Sequence, residues 1–84
     1  MAKIVIENFM TEQLGLNGNQ LVLYAIMWRD SKNGTQPVSE DYVRYSGAIN
    51  TTIPTYYATM KKLVERGYIT KMKNGSYVVN DVKR

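Results

Sequence analysis

The stretch NTTIPTYYATMKKLVERGYI, residues 50–69, decides how this chain folds. Its apolar residues recur at helical spacing, yet Pro54 stands near its beginning. A proline inside a helix costs about 3 kcal/mol, because its ring removes an N–H and crowds the preceding turn. The first-turn N–H groups of a helix have no partner within the helix, so a proline placed there loses nothing. The residue before a proline is also pushed away from helical geometry. Together these constraints predict a helix that starts between Thr52 and Pro54, runs to about Arg66 and stops at Gly67. At about 100° per residue, Ile53, Tyr56, Met60, Leu63 and Val64 fall on one side and are expected to be buried. Thr51, Thr55, Ala58, Lys62 and Glu65 fall on the other side, with Lys61 and Arg66 at its edges and Tyr57 flanking the apolar side. The outer face therefore carries small polar residues first and basic residues after them.

Upstream, Ser39 is the expected cap of another helix, with Glu40 and Asp41 in its first turn, where the helix dipole favours negative charge. Tyr42, Tyr45, Ser46 and Ile49 lie on one face of that helix. Gly47 offers an early stop, but the apolar pattern continues past it. This favours Asn50 as the terminator, in the left-handed conformation that asparagine tolerates. Before it, LNGNQLVLYAIMWRDSKNG reads as a helix capped by Asn17, with Gln20 completing a capping-box pattern and Asn33-Gly34 ending it. Residues 21–28 are apolar throughout, so this helix must be central. Ile4, Ile6, Phe9, Met10 and Leu14 are its expected covers. Ile4 and Ile6 suggest a short strand, followed by a brief helix over residues 9–14 that Asn8 caps and Gly15 ends.

Downstream, YITKMK and SYVVNDV flank Asn74-Gly75, which predicts a hairpin with a two-residue type I′ turn. That turn would place Met72 opposite Tyr77, Lys71 opposite Val78 and Thr70 opposite Val79. Its buried face is left open by the sequence. The tyrosines divide in the same reading, with Tyr42, Tyr45 and Tyr56 expected in the core and Tyr57 and Tyr77 at the surface.

Composition narrows the chemistry. The 84 residues contain no cysteine and no histidine, which removes disulfides, thiolate metal sites and the commonest general base. Seven carboxylates are spread along the chain without an obvious catalytic pair. No enzyme, catalytic residue, metal or cofactor is expected. No apolar run reaches the roughly 18 residues of a membrane span, and the first ten residues make a poor secretory signal. A cytoplasmic protein is the expectation. Residues 1–60 carry four basic and five acidic groups, whereas residues 61–84 carry seven basic and two acidic. That asymmetry suggests an end that faces a polyanion, the alternative being a solubilising tail.

The segment SEDYVRYSGAINTTIPTYYATMKKLVERGYITKMKNGSYVV resembles the winged helix-turn-helix family, and KKLVERGYI is similar to the passage from its recognition helix into its wing. LGLNGNQLVLYAIMW, after an opening IVIENF, more loosely resembles the first helix of DnaD-like and phage replisome-organiser initiator domains. The resemblance implies one α+β, mainly helical domain over residues 1–84. Residues 1–16 would pack on a three-helix core of residues 17–66, and residues 67–82 would form the wing. It implies binding of duplex DNA, in replication initiation or transcriptional regulation of a bacterium, phage or mobile element. Pro54 and the uncharged residues 51–59 depart from the family's basic recognition helix.

The candidate DNA-binding residues are Thr51, Thr52, Thr55, Tyr57, Ala58, Lys61, Lys62, Arg66, Lys71, Lys73 and Asn74. Threonine hydroxyls and methyls would meet base edges, and the cations would meet phosphates. Thr52 has a second reading as a helix cap, Lys61 and Lys62 as a solvated face, and the hairpin as a purely structural element. A competing function is protein–protein interaction, with a homodimer through Leu23 and Met27 if the N-terminal segment leaves them uncovered. RNA binding is a third possibility, although the sequence has no aromatic ribonucleoprotein motif and no glycine clamp.

Overall fold

The computed structural model describes residues 6–80. Four helices and one antiparallel hairpin follow in the order α1 (Asn8–Glu12), α2 (Gly18–Asp30), α3 (Tyr42–Ala48), α4 (Ile53–Glu65), β1 (Ile69–Lys71) and β2 (Tyr77–Val79). About half of the described residues are helical, which makes the chain an α+β domain. No helix among the described residues is long and apolar enough to cross a membrane.

The centre is α2. Its six consecutive residues Leu23, Tyr24, Ala25, Ile26, Met27 and Trp28 are all buried. They share one cluster with Phe9, Met10, Leu14 and Leu16 from the N-terminal side. Phe9 sets its ring edge-on against both Tyr24 and Trp28, and the Trp28 indole N–H donates to Glu7 Oε2 at 3.1 Å. Leu23 and Met27 are fully buried within the chain, so the exposure on which a dimer through them depended is not met. Ile6 lies exposed and in no strand. Ile4, and with it the expected N-terminal strand, lies outside the described residues.

Several local expectations are corrected. Asn17 caps α2 without a side-chain hydrogen bond, and Gln20 Oε1 accepts from the Arg66 guanidinium at 3.1 Å instead of closing a capping box. Glu7, not Asn8, is the N-cap of α1. Asp41, not Ser39, caps α3 by accepting from the Arg44 N–H at 3.1 Å. Glu40 thus sits outside the helix, where its side chain is free to turn inward.

The link between α3 and α4 forms as expected. Asn50 takes a left-handed conformation at φ 54, and the Thr51 N–H donates to the Ser46 carbonyl at 3.0 Å. Thr52 caps α4 with Pro54 in its first turn. Gly67 closes the far end at φ 82, where its N–H donates to the Val64 carbonyl at 3.0 Å. α4 buries Tyr56, Thr59, Met60 and Leu63. The Thr59 hydroxyl is satisfied by the Thr55 carbonyl at 2.9 Å. Ile53 and Val64, expected inside, stand 41% and 37% exposed. They lie at the margin of the inward arc, on the side facing the hairpin, where nothing among the described residues covers them.

The hairpin pairs one residue away from expectation: Ile69 with Val79, Thr70 with Val78 and Lys71 with Tyr77. The cause is the turn. A type I′ turn needs positive φ at both central residues, but only Gly75, at φ 90, has it there. The Gly75 N–H donates to the Met72 carbonyl at 3.1 Å, and the Met72 N–H to the Ser76 carbonyl at 2.8 Å. This is a three-residue loop with glycine in the left-handed position. Asn74 stays at negative φ, and its Oδ1 accepts from the Ser76 N–H and hydroxyl. A one-residue slip exchanges the faces of a strand. Ile69, Tyr77 and Val79 therefore face the helices and are buried, Tyr77 against expectation. Lys71, opposite Tyr77, shares their side.

β2 has a second neighbour. Val38 pairs with Tyr77 in an antiparallel bridge, N–H to carbonyl in both directions at 2.7 and 2.8 Å. The connector before α3 thereby docks on the hairpin, and its sequence carries no periodic signal for this.

Candidate nucleic-acid interface

The exposed surface of α4 has two sectors. Its outer edge presents Thr52, Thr55, Ala58 and Lys62, with Thr51 half-buried just before the helix. Its hairpin-side flank presents Ile53, Tyr57, Lys61 and Val64. Lys73 and Asn74 lie exposed at the hairpin tip. Between flank and hairpin runs an open groove of about 420 Å³, lined by Tyr57, Met60, Lys61, Val64, Glu65, Lys71 and Tyr77. The fold thus brings ten of the eleven candidate residues onto α4, its leading turn and the hairpin.

Arg66 is the exception. Its guanidinium donates to the Leu14 carbonyl at 2.8 Å and to Gln20 at 3.1 Å. Its Cζ lies 5.0 Å from the centre of the Tyr68 ring. The Tyr68 hydroxyl donates to the same Leu14 carbonyl at 2.8 Å. Arg66 pins the end of α4 to the segment after α1, on the side away from the hairpin. Arg44 is also engaged. It donates to Asp30 Oδ2 at 2.8 Å beside the Tyr45 hydroxyl at 2.9 Å. Burial pushes the Asp30 carboxyl up, but the hydrogen bonds from Arg44 and Tyr45 outweigh it and hold the pKa below its ordinary value. By contrast the side-chain amines of Lys61, Lys62, Lys71 and Lys73 have no hydrogen-bond or ion-pair partner among the described residues.

The hydroxyls are partly committed. Thr52 Oγ1 accepts from the Thr55 N–H at 3.4 Å and donates to Thr55 Oγ1 at 3.0 Å, so its capping role holds. Beneath the surface, Glu40 Oε2 accepts from the Tyr56 and Tyr77 hydroxyls, both at 3.1 Å. One carboxylate thus ties α4 to the hairpin from the segment before α3. Burial, and then the Glu40 charge, raise the Tyr56 pKa; burial and the Glu40 hydrogen bond push Tyr77 up to about 12. Sequence separations of 16 and 37 residues leave this knot without any local signal.

Tyr42, expected in the core, is 43% exposed and stacks on Tyr57, itself 44% exposed, with ring centres 6.3 Å apart and planes at 30°. The Tyr57 ring also leans on buried Tyr56 at 5.1 Å. No protein-family model, curated protein or solved structure matches the chain. What the fold offers is an α+β domain in which a helix and the adjoining hairpin present four lysine amines that have no partner among the described residues.

Proposed function

We propose that the chain is a winged helix-turn-helix domain that binds double-stranded DNA and performs no chemistry on it. In this reading α3 and α4 form the helix-turn-helix, α4 enters the major groove, and the hairpin is the wing. Replication initiation or transcriptional control is the setting we propose. The observation that carries the reading is the set of four lysines, Lys61, Lys62, Lys71 and Lys73, whose amines have no partner among the described residues and which are spread over one helix and the adjoining hairpin. The Val38 bridge to β2 supports it, because a pairing from the segment before α3 holds the hairpin against the core.

The outer edge of α4 would meet base edges through Thr51, Thr55 and the Ala58 methyl, while Thr52 serves as cap. Hydroxyls pair with donors and acceptors alike, and methyls favour thymine, so base discrimination is weak. Lysine–phosphate contacts position the protein without reading sequence. Arg66 has no part in this interface. With four phosphates engaged, log K falls against log salt with a slope of about −3.6. A short duplex titrated into labelled protein should shift Thr51, Thr55, Ala58, Lys61, Lys62, Lys71, Lys73 and Asn74 in NMR spectra. Shifts confined to Lys83 and Arg84, or a salt slope near zero, would reduce the interaction to adhesion by the chain end.

A further inference from the structure

Phosphate contact explains the lysines but not the apolar flank beside them. Ile53, Tyr57 and Val64 succeed one another along that flank, four and then seven residues apart, and all three are exposed. Tyr57 is braced by two neighbouring rings, those of Tyr42 and Tyr56, yet stays 44% exposed. Its ring is therefore held in place at the surface. The groove beneath it continues over Met60, Val64 and Tyr77, and Lys61, Lys71 and Glu65 also line it, two cations against one carboxylate, so its charge is net positive. An occupant must bring a flat apolar face and negative charge together. Paired bases in a duplex hide their faces in the stack. An unstacked base exposes its face and carries a phosphate on either side.

We infer that the Tyr42–Tyr57 pair and the adjoining groove receive one unstacked base of distorted or partly single-stranded DNA, with its flanking phosphates on Lys61 and Lys71. This rests on the DNA-binding reading and deepens it, from an intact duplex to one with an extruded base. Aromatic platforms interleaved with cations are the general means of holding unpaired bases. Such stacking tolerates any base, because every base has a π face.

The test compares three labelled probes by fluorescence anisotropy at one salt concentration: an intact duplex, the same duplex with one extrahelical adenine, and the single strand. The extrahelical probe should bind about ten-fold more tightly than the intact duplex, as expected for one stacked base. Tyr57→Ala should bring the ratio of the two affinities to near one, whereas Tyr57→Phe, which keeps the ring, should preserve it. Lys62→Gln should weaken both probes and leave the ratio alone. Equal affinities for the two duplexes, with salt-dependent binding intact, overturn the inference but spare the duplex reading. Absence of salt-dependent binding to all three probes overturns both. A homodimer lost on Tyr57→Ala, without any preference for the extruded base, assigns the flank to a second copy and also overturns the inference.

Discussion

Helices α2 and α4 have the same length, 13 residues, and opposite fates. α2 buries six residues in a row and α4 four at intervals. In α2 a helical turn meets protein on every side, so packing decides each of those six positions. In α4 only the inward arc does so. The outer edge and the hairpin-side flank are free to be threonine, lysine or tyrosine without cost to the core. Substitutions in α2 should therefore report on folding, and those on the outside of α4 on binding.

The sharpest break of that comparison is Leu23→Ala. Leu23 is fully buried at the centre of the cluster, so the truncation should cost about 2–5 kcal/mol in urea unfolding. In a domain this small that is a large share of total stability. A cost below about 1 kcal/mol, the size of an ordinary surface change, would mean that α2 is not the packing centre.

Alkaline pH separates the helices next. The Tyr24 hydroxyl of α2 donates to a neutral carbonyl, that of Asn80, at 3.3 Å. Tyr56 of α4 donates to the Glu40 carboxylate. Tyr45, Tyr56 and Tyr77 all have pKa values raised above the ordinary 10.0. A tyrosine whose folded pKa is raised holds its proton more tightly in the folded state. Its contribution is complete below about pH 10 and is lost as pH climbs towards the folded value, about 12 for Tyr77. With no histidine or cysteine in the chain, melting temperature should be nearly flat from about pH 6 to 9 and fall steeply above 10. A flat profile through about pH 12 would deny the Glu40 knot.

A pair of glycines gives a smaller effect with opposite signs. Gly34, after α2, sits at φ 82, and a Cβ there would lie 3.1 Å from Trp28 and 3.2 Å from the Val79 carbonyl oxygen. Gly34→Ala should destabilise by more than about 1 kcal/mol. Gly47, within α3, has open space where its Cβ would go. Gly47→Ala should stabilise by roughly 0.5–1 kcal/mol, because a helix-interior glycine costs conformational entropy. Denaturation of both variants checks the two signs at once.

The boundaries of α4 were legible because its signals are local: Thr52, Pro54, Asn50 and Gly67 each act within one turn. The centrality of α2 was legible because six apolar neighbours leave no outer face. The hairpin register was not, because Asn-Gly suits a two-residue turn as well as glycine suits the third place of a longer loop. The difference lies in Asn74 φ, which sequence does not reveal. Periodicity placed Ile53 and Val64 on the inward side but could not say that the hairpin stops short of covering them. On the candidate face, charge pointed to Lys61, Lys62, Lys71 and Lys73, whose amines have no partner among the described residues. It equally pointed to Arg66, since a side chain that donates to the Leu14 carbonyl 52 residues earlier looks like any other cation in sequence.

Lys62 and Arg66 refine the comparison within α4 itself. They lie one turn apart, yet the Lys62 amine has no partner among the described residues and the Arg66 guanidinium has two hydrogen bonds and a ring contact. Lys62→Gln should leave stability within about 0.5 kcal/mol. In the proposed complex it should reduce the magnitude of the salt slope by about 0.9, the share of one phosphate. Arg66→Gln should do the reverse, costing about 1 kcal/mol of stability through its lost charged hydrogen bonds with the salt slope unchanged. Urea melts and salt titrations of both variants decide the matter. If Arg66→Gln flattens the slope and Lys62→Gln does not, the DNA face lies on the opposite side of α4, towards α1, and the hairpin is not the wing of the complex.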